Sequence, residues 1–406
     1  MLEALKKKAE GEQIFFGKTA SLQSTFVDSD SADEDDHVHQ PERIEEVTER
    51  VTQDDDIPLF HQVEALYQEE KLLEAARLLR TFLQEESKSF HHLNDRYRHI
   101  LTEAQEMENA IADIVGPPSD QWNRQSSSSS GGGKYRRPTV IYTKFDPDWK
   151  LTCRIETPIE ASLLVPLLSV LNETDLYDTW IPSWRFPKIG VSRSQKLHHS
   201  GKANQLVQIV CDVPWPLRTR EVIVQATAVD EIDERGYIVI RLNTLSKQQE
   251  QEHPAVHEKD PEVVRVDFEG AILFRACPLD HELRNNIDPN DPLAREPLVL
   301  VSFKMYVPLI SSVGVSHPLS NAFAFSSYHL LHLFLRRFLD SKFTAVPTSL
   351  VNFCTKTVIG SMWNMFLHVA EDVRDGTRPE HAKIIAEKAN LYQWIEQRSQ
   401  VMLEQL

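Results

Sequence analysis

Few residues of this chain have the types and spacing that covalent chemistry requires. No nucleophile elbow, phosphate-binding glycine loop, HExxH helix or dinucleotide fingerprint occurs. His329 and His332 lie one helical turn apart, but no carboxylate or cysteine stands in register to complete a metal-binding set. The adjacent pairs His91-His92 and His198-His199 point in different directions and make poorer ligand sets still. The acidic run from Asp28 to Asp36 reads as a solvated tail rather than a paired-carboxylate site. What remains is the chemistry of apolar contact. Between Pro347 and Val373 the pattern predicts a long helix with Leu350, Phe353, Cys354, Thr357, Val358, Ser361, Met362, Met365, Phe366 and Val369 on one broad side. Several of these are small or flexible, and the strand residues expected opposite them, Ala226, Ala228 and Ala271, are small too. Such a face either closes into a packed core or leaves a cavity for an apolar ligand, since an empty cavity costs stability in proportion to its volume.

The elements that would position this face are strands. Val222, Val224, Ala226 and Ala228 alternate with more polar neighbours, which places them on a core side and Gln225 and Thr227 on the other. Further strands are predicted at Leu206–Asp212, Glu221–Asp230, Tyr237–Leu245, Val263–Phe274 and Pro297–Val307, and Leu151, Cys153 and Ile155 alternate as another. Loops rather than crossover helices join most of them, so the sheet is expected to be antiparallel. Thr157-Pro158-Ile159-Glu160 has the form of a capping box opening a helix through about Val170.

The stretch Asp212-Val213-Pro214-Trp215-Pro216-Leu217-Arg218-Thr219-Arg220-Glu221, running directly into the strand after it, resembles the central motif of START domains, the lipid-transfer family with the helix-grip fold. Thr179-Trp180-Ile181-Pro182 upstream, His253-Pro254 and Val264-Arg265-Val266 downstream, and Pro347-Thr348-Ser349-Leu350-Val351-Asn352 at the start of the long helix agree with that family in order and spacing. The resemblance covers roughly 135–373. It implies an α+β helix-grip fold, a curved antiparallel sheet wrapped around a long C-terminal helix, preceded here by a small α-helical bundle. It further implies a non-enzymatic carrier or sensor that binds a phospholipid, sterol or sphingolipid and meets membranes transiently.

In that setting Arg241 and Arg275 are expected to meet an anionic headgroup, and Tyr306 and Asn352 to donate to a hydroxyl or carbonyl. Cys354, Thr357, Val358, Ser361, Met362 and Met365 would line the apolar part. Arg220 and Glu221 are expected to pair with each other and pin the strand start, and Trp180, Trp184 and Trp215 to serve as core or rim packing. No cofactor is expected beyond the bound lipid. Two other readings stay open: a scaffold whose START-like domain and bundle bind protein partners, and a hydrolase or cyclase of the wider helix-grip superfamily.

Composition sets the remaining limits. The chain has 406 residues, 41% of them hydrophobic, and a formal charge of −17, which argues against a nucleic-acid partner because phosphate backbones are held by Lys and Arg. Cys153, Cys211, Cys277 and Cys354 are widely spaced, as expected of free thiols in a cytoplasmic protein. No secretory signal and no apolar run of membrane-spanning length is evident.

Residues 1–56 read as a disordered acidic tail and 57–115 as a bundle, a tetratricopeptide- or MIT-like hairpin plus one more helix. Residues 116–134 read as a Ser/Gly linker allowing relative motion, 135–373 as the START-like domain, and 374–406 as a C-terminal amphipathic helix opened by Thr377-Arg378-Pro379-Glu380. Within the START-like part, 311–346 is an insertion the family lacks. Its Phe323, Phe325, Leu331 and Phe334, ended by Arg336 and Arg337, suggest either a gate dipping into the membrane interface or an extra helix outside the sheet.

Overall fold

The computed structural model describes residues 58–85, 94–118, 121–128, 135–145, 150–181, 184–185, 188–202, 204–212, 219–254, 256, 263–308 and 359–405. The expected tail 1–56, the 311–346 insertion and the Trp-Pro corner at 213–218 lie outside these residues.

Among the described residues three helices come first: α1 (Pro58–Gln68), α2 (Leu72–Glu85) and α3 (Asp95–Val115). Asn94 caps α3 by accepting from the Tyr97 N–H, which satisfies one of the donors a helix start leaves free. The three- and four-residue spacing of Phe60, Val63, Leu73, Leu79, Tyr97, Ile100, Ala104 and Met107 turns these residues inward, where all are buried.

The sheet follows. Its strands are β1 (Asn123–Ser128), β2 (Pro138–Phe145), β3 (Lys150–Glu160), β4 (Trp184–Arg185), β5 (Lys188–Ser200), β6 (Asn204–Asp212), β7 (Arg220–Glu231), β8 (Tyr237–Thr244), β9 (Val264–Arg265), β10 (Glu269–Ala276) and β11 (Leu298–Pro308). They run in the order β1-β2-β3-β11-β10-β8-β7-β6-β5-β4, with β9 beside the start of β7. All pairs are antiparallel except the short β7–β9 contact.

Between β3 and β4 come α4 (Leu164–Asn172), a 3-10 turn (Thr174–Leu176) and α5 (Tyr177–Trp180). Short helices α6 (Ile232–Arg235), α7 (Lys247–Glu252) and α8 (Glu282–Asn285) sit in later loops. The chain closes with α9 (Gly360–Arg374), α10 (Pro379–Glu387) and α11 (Ala389–Glu404). The fold is α+β, a large antiparallel sheet with a C-terminal helix laid across it.

Several expectations are corrected. The Ser/Gly segment is not all linker, since Asn123–Ser128 pairs along β2 as the edge strand. A backbone ladder needs no apolar side chains, and polar residues suit an edge. Thr157-Pro158-Ile159-Glu160 does not cap a helix but continues β3 against β11. Its polar groups are engaged elsewhere: the Thr157 hydroxyl accepts from the Trp363 indole N–H at 2.8 Å and lies 3.0 Å from Thr139 Oγ1, while Glu160 holds Arg137. Val263–Phe274 splits into β9 and β10. The C-terminal helix breaks at Lys388, and Thr377 does not cap α10, because its hydroxyl donates to the Asp372 carbonyl at 2.9 Å.

Both faces of the sheet are covered. On one, Trp363, Phe366, Val369 and Val373 of α9 and Leu164, Leu167 and Leu168 of α4 meet Ile155, Ile272, Phe274, Val299 and Val301. On the other, the bundle packs on Val229, Tyr237, Val239, Ala271 and Leu273. Ion pairs reinforce the second contact: Arg241 with Glu106 at 2.8 Å, Arg77 with Glu231 at 3.1 Å, and Lys304 with Asp113 at 2.5 Å. The bundle is therefore seated on the sheet by a continuous apolar contact.

A buried histidine on α10 makes the fold acid-sensitive. His381, on α10, is fully buried, and neither ring nitrogen has a partner among the described residues. Burial pushes its pKa below the ordinary histidine value; Glu380 and Glu173 act the other way, and Arg378 adds to the depression. The native state thus keeps His381 neutral at a pH where the unfolded chain takes up a proton. Its contribution to stability is intact above about pH 6.5 and is lost as pH falls from there toward the depressed native value. The melting temperature is expected to drop more between neutral and mildly acid pH in the natural chain than in His381→Met. Parallel pH profiles for the two would show that His381 does not titrate on unfolding.

Candidate functional site

A cavity of about 490 Å³ lies between the sheet and the C-terminal helices. The period of two in the strands decides its wall. Val222, Val224, Ala226 and Ala228 of β7 all face it, joined by Val207 and Ile209 of β6, Ile238, Ile240 and Leu242 of β8, Ile272 of β10, and Phe303 and Met305 of β11. Met362, Trp363 and Phe366 of α9 form the opposite side. Leu168 and Leu171 of α4 close one end with Leu391, Trp394 and Ile395 of α11. Aromatic rings give this wall shape: Phe366 lies 6.0 Å from Trp180 and 5.6 Å from Trp363 between centroids, and Trp363 stacks on Phe303 at 6.3 Å.

Polar groups gather at the end formed by α4, α11 and the β5–β6 turn: Glu70, Asn172, Thr174, Lys202, Gln205 and Asp230. Most are already engaged. Asp230 is held by Arg398, with Nη2 3.0 Å from Oδ1, and accepts the Ile232 N–H at 3.0 Å. Asn172 donates to Glu173 at 2.8 Å. Glu70, in the α1–α2 turn with φ +65°, accepts the Lys202 backbone N–H at 2.6 Å, so the bundle itself contributes a residue to the cavity's end. The Lys202 ammonium sits 4.7 Å from the centre of the Trp394 ring. Three buried atoms have no partner among the described residues: Thr174 Oγ1, Gln205 Oε1 and Trp180 Nε1.

A second pocket of about 580 Å³ adjoins this end and shares Asn172, Lys202 and Leu391 with it. It contains Lys196, His199 and Lys388. Lys388 is committed to Glu173 at 2.6 Å, and burial beside Lys388 holds the Lys196 pKa below the usual lysine value.

The residues expected at the site are only partly brought together. Met362 lines the cavity, as do Ala226 and Ala228. Met365 is partly buried against the neighbouring core, and Ser361 is exposed. Arg241 is corrected: it follows Ile240, so it emerges on the opposite face and pairs with Glu106 of α3. Tyr306, next to Met305, likewise turns away and donates to Asp113 of α3. Arg275 shares the face of Ala271 and Leu273 rather than that of Ile272, and does not line the cavity; Ala271 itself faces the bundle.

Asn352, Cys354, Thr357 and Val358, with the expected gate residues Phe323, Phe325, Leu331, Phe334, Arg336 and Arg337, lie outside the described residues. Glu221 pairs with Arg265, at 2.8 Å across the β7–β9 contact, rather than with its neighbour Arg220. Trp180 lines the cavity.

Sequence reasoning passed over Thr174 and Gln205. A signal for Gln205 existed: it is in phase with Val207 and Ile209, so a polar side chain interrupts an otherwise apolar inward row. Thr174 carries no such mark, because its place depends on how the turn after α4 meets β5.

No family model and no curated protein matches the chain. Among solved structures it is similar to human STARD10, with 12% identity, 69% of this chain and 83% of that one covered, and a TM-score of 0.41. It is also similar to a STAR-related lipid transfer protein from Xanthomonas axonopodis (15% identity, 62% and 99% covered, TM-score 0.33). A third is human StAR-related lipid transfer protein 5 (10% identity, 58% and 90% covered, TM-score 0.32).

Proposed function

We propose that this chain binds a lipid in the cavity and carries or senses it between membranes without catalysing a reaction. The observation that supports this is the cavity itself: about 490 Å³ lined by strand and helix residues that are mostly apolar. A space of this size and lining falls within the range used for small apolar ligands. Each methylene moved there from water gains about 0.8 kcal/mol, but almost nothing relative to a bilayer interior. Binding by such a wall is therefore exchange with a membrane rather than permanent capture, which suits a carrier or sensor.

Among the described residues no helix is long and apolar enough to cross a membrane, so contact with the donor bilayer is peripheral in this reading. The compartment is the cytoplasm, where Cys153, Cys211 and Cys277 stay reduced; burial pushes the Cys153 thiol up to about 12 and the Cys277 thiol up to about 11, which keeps both unreactive.

The test is purification of the full chain under native conditions, followed by solvent extraction and mass spectrometry. A defined lipid at near-stoichiometric yield is expected. An empty protein that also takes up nothing from vesicles would overturn the reading.

A further inference from the structure

The pocket beside the apolar cavity has a different chemistry. We propose that it takes an anionic phosphate, and that this phosphate is the headgroup of the lipid whose chains occupy the cavity. The proposal rests on the lipid-binding reading above and names the ligand class of that site.

Among the described residues the pocket, of about 580 Å³, is lined by Lys196, Lys202, Lys388 and His199 against one carboxylate, Glu387. In a chain of formal charge −17 such a gathering of cations runs against the composition. The fold brings them together from three places. Lys196 and His199 are on β5, Lys202 is in the turn to β6, and Lys388 joins α10 to α11.

The neighbouring carboxylates are engaged with other donors. Glu173 holds the Lys388 ammonium at 2.6 Å and accepts the Tyr392 hydroxyl at 2.6 Å. Asp175 accepts the Lys196 backbone N–H at 2.8 Å, Glu70 accepts the Lys202 backbone N–H at 2.6 Å, and Glu387 lies 3.8 Å from Lys383. Among the described residues, neither the Lys196 nor the Lys202 ammonium has a carboxylate within ion-pair distance. Burial holds the Lys196 pKa below the usual lysine value and Lys388 adds to the depression, together outweighing the pull of Glu173 and Asp175. His199 is lowered in the same way, by burial and then by Lys196. The like charges therefore act on one another across the pocket, and an anion between them offsets that repulsion.

Phosphate suits this lining. Its oxygens accept, as ammonium groups require, and such charge-assisted bonds are about twice as strong as neutral ones. A choline headgroup would bring a further cation among the lysines, and the Trp394 face that could receive it is covered by Lys202, 4.7 Å from the ring centre. An uncharged headgroup would leave both ammoniums without a counter-charge. Position links the two spaces: Asn172, Lys202 and Leu391 line the pocket and the cavity alike, so a headgroup held here has its chains at the apolar wall.

The experiment incubates the full chain with phosphatidylcholine vesicles doped, in separate arms, with dioleoyl phosphatidic acid or with dioleoylglycerol, which has the same chains and no phosphate. The protein is then separated from the vesicles and its retained lipid quantified by mass spectrometry. The expected result is retention of phosphatidic acid about tenfold over diacylglycerol and over phosphatidylcholine, relative to their shares of the vesicle, equivalent to ~1.4 kcal/mol. In the Lys196→Gln, Lys202→Gln variant that preference falls to near unity, while diacylglycerol loads as in the natural chain and the melting temperature holds. Should that variant not fold, Lys196→Gln alone, which keeps the Trp394 contact, reads the same comparison with a smaller change. Calorimetric titration with glycerol 3-phosphate separates the sources of the anion: binding of it without any preference for phosphatidic acid would assign the pocket to a soluble phosphate ester and overturn the headgroup assignment. Equal retention of phosphatidic acid and diacylglycerol, preference for phosphatidylcholine, or an unchanged preference in the variants would overturn the proposal while leaving a lipid carrier. No lipid in any arm would overturn both.

Discussion

Replacing Arg137 with alanine is expected to lower the unfolding free energy by about 3–5 kcal/mol, a large part of the ~5–15 kcal/mol that a folded domain typically has. Arg137 is 2% exposed and forms a fork with Glu160, Nε to Oε2 at 3.0 Å and Nη2 to Oε1 at 2.7 Å. Its third nitrogen reaches Glu371 Oε1 at 2.8 Å. Glu160 is fully buried, at the end of β3, and Glu371 is on α9, so one guanidinium joins the sheet to the C-terminal helix. Removing it leaves two buried carboxylates, of which Glu160 keeps Arg374 as its cation among the described residues. The cost of an unpaired buried charge, rather than the value of the pair, produces the large number.

A triple replacement, Arg137→Met with Glu160→Leu and Glu371→Leu, should therefore lose much less than the single change. The midpoint of urea unfolding, compared at constant slope, measures both. A single-variant loss below about 1 kcal/mol would mean that water reaches the carboxylates.

Ala228→Trp is expected to reduce lipid uptake by more than about tenfold, while leaving the melting temperature unchanged or raised. Ala228 is on β7, paired with Ile240 of β8 and two residues past the last β6 pair at Ala226, and it lines the cavity, so the new ring enters that space. Overpacking a filled core costs stability, but filling an existing void commonly adds ~0.5–2 kcal/mol. The opposite signs of the two effects separate a binding cavity from an ordinary core. Met362→Trp enters from α9, on the other side, and should behave the same way. Transfer of a fluorescent lipid between vesicle populations and a thermal melt give the two readouts. Undiminished transfer by both variants would show that the lipid does not occupy this space; a loss of transfer together with a loss of stability would point to a packed core.

Much of the architecture was legible in the residues because it depends on short-range periodicity. Alternation in β7 identified four residues that line the cavity, and three- and four-residue spacing identified the bundle, but on α9 it found Met362, Phe366 and Val369 and missed Trp363, Leu367, Ala370 and Val373. The capping box at Thr157 misled because the same residue types serve a different purpose once a strand partner is present: the threonine meets Trp363 and the glutamate meets Arg137. The headgroup candidates misled for a related reason. A period of two divides Arg241 from Ile240 and Tyr306 from Met305, but it does not say which side of the sheet carries the cavity.

That choice depends on where the helices pack. The sequence by itself determined an α+β chain with a largely antiparallel sheet, a helical bundle before it and an apolar C-terminal helix, because propensity and periodicity act over a few residues. Only the tertiary structure decided that the bundle occupies the face bearing Arg241, Lys304 and Tyr306 and satisfies them with Glu106 and Asp113. Only it brought Thr174, Trp180 and Gln205 into the cavity lining, since which side chains line a cavity depends on every element that surrounds it.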